Sequence, residues 1–560
     1  MTDKHNQPLP VGFSDFRELR EYGCYYVDKS LFIKQITQAA AKVLLIPRPR
    51  RFGKTLNLSM LRYFYEKSDE DRIPLFDGLT VRDDDVFKTH FGKYPVIWMT
   101  FKDVKNPEWS DCFRNLQDVI YKEYTRHRGL LDSNLLFPEE ITYFRNILEG
   151  KAGLTDYQTS LEKLSAFLRR IHNKRVIILI DEYDTPIHAG YSGGFYEQVI
   201  SFMRNLLSGG LKDNEHLFKG VITGILRVAK ESVFSGLNNL GVYTLLSPRF
   251  SDSFGFTEPE VRKLLDDFKM NQLYDEISFW YNGYVFGNTV LYNPWSVLNF
   301  LDNQGDPMPY WINTADTGMI ENLATRGGRE LREELGLLLE GRDVTRPVYE
   351  SIVMKDLEKR DDLLWSFLLF SGYLKPVEKI DYETWKLCIP NYEVYHVYRS
   401  LVRNWFAEKI EHNKLEQMLN ALENGDAALF EHILQEIVVQ VMSYHDFSGV
   451  PEKVYHALVL GMLVWLSGRY EIRSNRESGY GRYDLMLKPK NIAKQGIVIE
   501  FKKVYEDEKP EDVLEDALNQ IRDRKYAAEL EAAGVKDILK LAVAFQGKKL
   551  WVKQDQTSVM

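Results

Sequence analysis

The 560-residue chain is 44% hydrophobic and 27% charged with a net charge of −9, which suits a globular protein of about two to four domains and excludes a disordered or fibrous one. The acid excess excludes nucleic-acid binding over the whole surface and confines any such site to a local patch, and no uncharged apolar run approaches the ~20 residues of a membrane span. Three distant cysteines, Cys24, Cys112 and Cys388, match no metal spacing and suit a reducing compartment. The amino terminus lacks a signal peptide's apolar region, so a cytoplasmic location without membrane contact is expected.

In chain order, the aromatics of residues 10–16 and 25–30 read as caps on a sheet, with stacking on a base as the alternative. Lys42–Ile46 is then a short apolar run of strand type. Gly53–Lys54–Thr55 opens a segment of helical periodicity with Leu56, Met60, Leu61, Phe64 and Tyr65. Strand, loop and helix in this order are the context of a P-loop. Backbone N–H groups at the helix start would face the phosphates of ATP, Lys54 would neutralise their charge, and Thr55 would ligate Mg²⁺. The first glycine of the usual pattern is replaced by Arg48, and Pro49 removes an N–H from the cradle. Arg50 and Arg51 would compensate with charge, so residues Arg50, Arg51, Phe52, Gly53, Lys54, Thr55 and Leu56 form the candidate ATP-binding segment. The bland reading is a basic loop beside a coincidental Gly-Lys-Thr.

Val96–Phe101 is a further strand, and residues 108–172 read as helices. Val176–Ile180 is a buried-strand run ending in Asp181 and Glu182. Ligands of open α/β sheets lie at strand carboxyl ends, so Asp181 would hold Mg²⁺ and Glu182 would polarise the attacking water. A core strand before an acidic turn would look similar, but two motifs in the right order favour the nucleotide reading. Phe218–Gly224 and Val242–Leu246 complete a parallel sheet with helices on both faces. Thr223 at a strand end and Arg227 just beyond are candidate γ-phosphate sensors.

From about Phe250 the texture changes to helices broken by aromatic turns, such as Phe254–Glu260, Trp280–Tyr284 and Tyr292–Trp295. We expect residues 251–450 to be an α-helical lid or connector, with its Tyr and Trp residues as core. A last shift falls near Pro451: residues 451–505 hold ten Lys/Arg against five Asp/Glu.

That tail reads as an apolar helix (Val454–Leu466), three strands (Tyr470–Arg476, Arg482–Leu487, Gln495–Lys502), a helix over about Glu511–Leu530 and a strand at Leu541–Phe545. This order resembles the core of the PD-(D/E)XK nuclease fold, and Asp484 followed by Glu500–Phe501–Lys502 resembles its motif. Asp484 and Glu500 on neighbouring strands would pair around Mg²⁺, with the Phe501 carbonyl as a third oxygen. Alternation puts Glu500 and Lys502 on one face, where Lys502 can orient or deprotonate water. Gln520 on the next helix could point to the same place. Arg473, Arg476, Arg482 and Lys503 could track a phosphate backbone, or pair with Glu471 and Glu477. The motif is short, and its bland reading is a half-buried strand with a surface ion pair.

The residues quoted, with Gly12–Phe16, Tyr26–Ser30, Arg48–Thr55, Asp181–Asp184, Tyr292–Trp295, Ser474–Asp484 and Glu500–Lys502, resemble over nearly the whole chain a bacterial family that joins an AAA-ATPase-like domain to a PD-(D/E)XK nuclease-superfamily domain. Arg-Pro-Arg-Arg-Phe-Gly-Lys looks like that family's own P-loop variant. The resemblance implies an ASCE-type P-loop fold, with an extra strand between the P-loop strand and the acidic strand. The expected organisation is an ATPase domain (1–250), a helical connector (251–450) and a nuclease-like domain (451–560). ATP and Mg²⁺ are the expected cofactors and nucleic acid, taken as DNA, the expected partner, with oligomerisation left open. The expected function is Mg²⁺-dependent cleavage under nucleotide control. The alternative is an ATP-driven switch whose nuclease-like domain binds a partner or nucleic acid without cutting.

Overall fold

The computed structural model describes residues 7–227, 234, 239–311, 329–339, 341–351, 354–356, 360, 362–407, 412–441, 459, 461–474, 477–478 and 481–555. The chain divides into two compact units, one of residues 1–316 and 345–394, the other of residues 317–344 and 395–560. Residues 251–316 and 345–394 thus fold with the amino-terminal sheet; the expected boundary at 250 falls inside the first unit and that at 450 inside the second.

In the first unit five strands run parallel: β1 (Val43–Pro47), β2 (Val96–Thr100), β3 (Val176–Asp181), β4 (Leu217–Gly224) and β5 (Leu240–Val242). Their order is β2-β3-β4-β1-β5, so β4 separates the P-loop strand from the acidic strand, as expected. β1 and β3 are buried at every position, the burial that an unbroken apolar run requires of a sheet covered on both faces. The register brings Pro47 opposite Gly224, Ile180 opposite Ile222 and Thr100 opposite Asp181. The carboxyl ends of β1, β3 and β4 therefore meet at one edge.

The region read as helical connector also contains strands. Asn282–Phe286 pairs antiparallel with Thr289–Tyr292, and a second small sheet joins Val344–Pro347, Thr384–Cys388 and Lys375–Lys379. Trp280–Tyr284 looked like a turn because of Asn282–Gly283. Gly283 takes φ +120° beside a register shift between Asn282 and Tyr284, so the glycine marks a bulge in a strand rather than its end.

In the second unit, β6 (Tyr470–Ser474), β7 (Leu485–Pro489), β8 (Gly496–Lys503), β9 (Ile538–Gln546) and β10 (Lys549–Gln554) pair in sequential order. All are antiparallel except β8 with β9. That one parallel pair needs a crossover, and the helix Pro510–Asp523 supplies it. Leu514, Ala517, Leu518 and Ile521 of this helix pack on Met486, Val498, Ala542 and Ala544 of the sheet. β10 was not foreseen. Two N–H groups of this edge strand are taken by side chains of the helix Ala427–Val441: Leu550 N donates to Gln435 Oε1 (3.0 Å) and Val552 N to Glu431 Oε2 (2.8 Å). The helix expected over Val454–Leu466 lies largely outside the described residues.

The crossover helix ends earlier than its periodicity implied. Lys525 adopts φ +53°, with Tyr526 N bonded to Ile521 O (3.2 Å) and Lys525 N to Arg522 O (3.1 Å). These are the two bonds of a Schellman cap. A lysine occupies the left-handed position where glycine usually signals the cap, so no residue type marks the end of the helix.

Candidate functional sites

The first site grows from the turn after β1. Gly53 has φ +81° and caps the helix α1 (Lys54–Tyr65). That left-handed backbone is open to glycine at little cost, and it starts the helix with its free N–H groups facing the sheet edge. Lys54 is only 6% exposed, and its Nζ donates to the Pro49 carbonyl at 2.9 Å. Burial lowers its pKa, while Glu182, Asp181 and Asp184 oppose that shift. Thr55 Oγ1 donates to Asp181 Oδ2 at 2.7 Å, and Thr223 Oγ1 donates to Asp181 Oδ1 at 2.6 Å. The hydroxyl and carboxylate expected to share Mg²⁺ are thus already adjacent, which fits the group. Thr223 lies in this cluster as the buried brace of Asp181.

Glu182 sits one residue past the strand with φ +50°, a conformation that costs a non-glycine residue about 1–3 kcal/mol. Its neighbours hold it there. Tyr183 N donates to Thr223 O at 3.1 Å, and Asp184 accepts from Ile225 N and Leu226 N at 2.8 and 3.0 Å. Burial would raise the Asp184 carboxyl, but His188 and these two N–H groups hold it below its usual value. Arg227 follows one residue after this clamp and is partly exposed.

The arginine-rich loop is built differently from its expectation. Arg48 is fully buried; its guanidinium donates to Pro47 O, Tyr243 O and Phe250 O at 2.7–3.1 Å and lies over the rings of Phe254 and Phe286. It is a structural cross-tie. Phe52 likewise turns inward, its ring 4.9 Å from Tyr284 and 5.0 Å from Phe286. Phe52 anchors the loop with its side chain, leaving its main chain for any phosphate contact. Leu56 is half-buried in the first turn of α1. Arg51 is exposed, has φ +67° and lies 4.2 Å over the Trp295 ring. Burial lowers its pKa and Glu182 opposes that shift, so Arg51 and the glutamate share one field.

The bed under this loop comes from far along the chain. Asn293 caps the helix Pro294–Asp302 by accepting from Trp295 N and Ser296 N, which sets Trp295 beneath Arg51. Trp311 Nε1 donates to Arg50 O at 3.2 Å, and Gly372, at φ +93°, approaches so closely that a Cβ there would meet Pro49 Cβ at 2.9 Å. Glu393 is fully buried. It accepts from Trp311 N at 2.7 Å and from Ser296 Oγ at 2.8–2.9 Å. Burial raises its pKa to about 8, against the opposing pull of these donors.

This raised value has a measurable consequence. A carboxyl that binds its proton more tightly when folded contributes stability that is complete below its unfolded pKa and is lost as pH rises through the folded one. The window here runs from the ordinary value of 4.5 to about 8. Wild type should therefore lose stability, on the order of a few kcal/mol, relative to Glu393→Gln between pH 5 and 8.5 in urea unfolding. A stability difference that stays flat across that range contradicts the assignment.

The second site lies in the carboxyl-terminal sheet. Leu485 pairs with Ile499, so the register sets Asp484 beside Glu500. Asp484 Oδ2 accepts from Phe501 N at 2.8 Å. Glu500 is 2% exposed; its Oε1 accepts from Lys502 Nζ at 3.1 Å and from Gln520 Nε2 at 2.6 Å, and its Oε2 is buried with no hydrogen-bond partner. Burial, then the Asp484 charge, push the Glu500 carboxyl up, and Lys502 pulls it back. A buried orphan oxygen beside a second carboxylate suits a divalent cation. Among the described residues no set of three or more His, Cys, Asp or Glu converges on a metal position. Asp484 and Glu500 would therefore supply the side-chain ligands, completed by the Phe501 carbonyl, water or substrate oxygens.

Gln520 reaches the site as foreseen. Tyr526, which accepts from Gln520 Nε2 through its hydroxyl at 3.0 Å, was missed because the Schellman turn, not the helix face, brings it back. Arg473 is committed to Glu471 and Glu529, so the structural alternative holds for it. Lys503 lies 4.6 Å over the Tyr505 ring. Arg476 and the side chain of Arg482 lie outside the described residues.

Comparison with known proteins follows the same division. Residues 10–234 match the model of a predicted AAA-ATPase, AAA-ATPase-like, family, and residues 450–555 match that of the PD-(D/E)XK nuclease superfamily. A curated relative, an uncharacterised protein from the vnfD 5′ region of Azotobacter chroococcum mcd 1, is 30% identical over 324 residues, covering 57% of this chain and 56% of its own length. The chain thus spans about half of that relative. Parallel sheet, P-loop and acidic strand in one unit and the Asp484/Glu500/Lys502 sheet in the other agree with both matches: the chain carries an AAA-ATPase-like domain followed by a PD-(D/E)XK nuclease-superfamily domain.

Proposed function

We propose that the chain binds and hydrolyses ATP at the P-loop and uses its carboxyl-terminal domain to cleave nucleic acid, taken as DNA, with Mg²⁺ at both sites. Residues 1–250 hold the nucleotide, with 251–316 and 345–394 folded into the same unit, residues 451–560 cut, and the rest of 251–450 connects the two along the chain. Lys54, Arg50 and Arg51 neutralise the phosphates, Thr55 and Asp181 hold the cation, and Glu182 orients the water, with Thr223 and Arg227 reading the γ-phosphate. In the nuclease domain Asp484 and Glu500 hold the cation and Lys502 orients the attacking water. Mg²⁺, when held, supplies charge neutralisation at the scissile phosphate. We place the protein in the cytoplasm: its three cysteines are free, and among the described residues no helix is long and apolar enough to cross a membrane.

The observation that carries the cleavage reading is the buried, unpartnered Glu500 Oε2 beside Asp484. A domain that only binds gains nothing from setting the buried Glu500, one oxygen unpartnered, against the half-buried Asp484, an arrangement that costs free energy beyond what Lys502 offsets unless a further cation joins it. The test is a cleavage assay on plasmid and single-stranded DNA with Mg²⁺ or Mn²⁺, with and without ATP. Metal- and ATP-dependent product supports the reading. Tight binding without product under every condition replaces it with the ATP-driven switch.

A further inference from the structure

The nucleotide chemistry above leaves Glu393 unused, although it is a fully buried carboxyl hydrogen-bonded to both Ser296 and Trp311. Its partners lead to the P-loop in two steps. Trp311 donates its main-chain N–H to Glu393 Oε1 at 2.7 Å, and the same residue's indole N–H reaches Arg50 O at 3.2 Å. Glu393 lies in the first turn of the helix α2 (Tyr392–Ala407), whose start is fixed by Asn391 Oδ1 accepting from Val394 N at 3.0 Å. At Val394 the chain leaves the first unit, and Tyr395 begins the segment that belongs to the second.

We propose that Arg50, Trp311 and Glu393 form a relay through which nucleotide at the P-loop changes the stability of the helix Tyr392–Ala407, the segment through which the chain leaves the ATPase unit. The proposal rests on the ATP-binding reading above.

The physical argument begins at the loop. A trans peptide is planar, with its C=O and N–H on opposite sides. Fixing Arg50 C=O on Trp311 therefore turns the Arg51 N–H away from Trp311. The neighbouring carbonyl, Pro49 O, holds the Lys54 ammonium at 2.9 Å. Phosphate oxygens would compete for that ammonium, so filling the site releases Pro49 O and redistributes the hydrogen bonds of adjacent peptides. Arg50 O is the acceptor that passes this change outward, because its donor is a rigid indole wedged 4.9 Å from the Tyr373 ring. An indole with fixed rotamers moves as one body with its own backbone N–H, and that N–H ends on Glu393.

The choice of a carboxylate is the second argument. Burying one raises its pKa and costs free energy that a packed Leu or Met would avoid. What it adds is a two-oxygen acceptor that ties Ser296 and Trp311 to the first turn of one helix. Ser296 neighbours Trp295, the residue beneath Arg51, so both loop arginines connect to the same carboxylate.

Hydrogen exchange of residues 392–400, with and without ATP and Mg²⁺, tests the relay. Wild type should show exchange slowed about threefold or more on ATP binding. Glu393→Ala should lose that change while binding ATP within about threefold of wild type in titration, since no atom of Glu393 reaches the loop. Glu393→Gln should keep it, because the amide oxygen still accepts the Trp311 N–H. Trp311→Phe keeps an aromatic ring beside Tyr373 and removes the indole N–H that reaches Arg50, so it should also lose the change, and it decides the matter if Glu393→Ala does not fold. ATP binding to wild type without any change at 392–400 overturns the relay, as does a change that survives Trp311→Phe. Failure of wild type to bind ATP at all overturns the nucleotide site, and the relay with it.

Discussion

Asp484→Ala should reduce metal-dependent cleavage by about 10³-fold or more while ATP turnover continues. The carboxylate is held in place by Phe501 N at 2.8 Å and lies beside Glu500, whose proton affinity its charge helps to raise. Removing it takes away one of the two proposed side-chain ligands and the acceptor of the Phe501 N–H, the latter at a stability cost of about 1 kcal/mol. Nucleic-acid binding should persist or tighten, because a negative charge facing phosphate is gone. Lys502→Ala should cripple cleavage too but weaken binding slightly, which separates a ligand from a water-orienting cation. The salt dependence of binding should change little for Asp484→Ala and fall on removal of any arginine that touches phosphate. An Asp484→Ala protein that cuts at the wild-type rate would show that product came from a contaminant or another site.

Glu182→Gln is expected to slow ATP hydrolysis by about 10²–10³-fold with binding nearly unchanged. The amide keeps the size of the side chain and its bond with the Thr185 hydroxyl (3.3 Å), but it cannot polarise water as a carboxylate does. It also removes the charge that favours Arg51 and Lys54 in their ionised forms, so binding could tighten slightly. Lys54→Ala should instead weaken binding itself, because the ammonium is the loop's buried cation. Measured Kd and kcat for the two variants therefore move in different columns. If Glu182→Gln turns over ATP like wild type, the water is oriented by another residue. Equal ATP binding by Lys54→Ala and wild type would remove the role given to that lysine.

The parts of this structure that were legible in the sequence are those whose chemistry is local. Lys42–Thr55 and Val176–Glu182 each carry strand, turn and functional group within about a dozen residues, and the fold brings them to one edge through Thr55 and Asp181. Asp484 and Glu500 were legible for the same reason, since alternation along neighbouring strands fixes which side chains meet. What could not be read is tertiary. Trp311 lies 261 residues from Arg50, and no periodicity or motif ties them. Phe52 looked like part of the binding segment because it stands between Arg51 and Gly53, yet its ring belongs to the hairpin of Tyr284 and Phe286. The left-handed backbones of Glu182 and Lys525 carry no glycine and so left no mark. The two small sheets between 282 and 388 were hidden by turn-forming residues inside strands.

The capping of β10 by Gln435 and Glu431 bears on how copies of this chain can meet. An edge strand normally presents a ladder of free donors, and a second chain can extend the sheet by docking there. With Leu550 N and Val552 N already spent within the same chain, docking at this edge would first have to break two bonds. The second unit is thereby guarded along β10 against open-ended sheet growth, a safeguard against aggregation built from one glutamine and one glutamate.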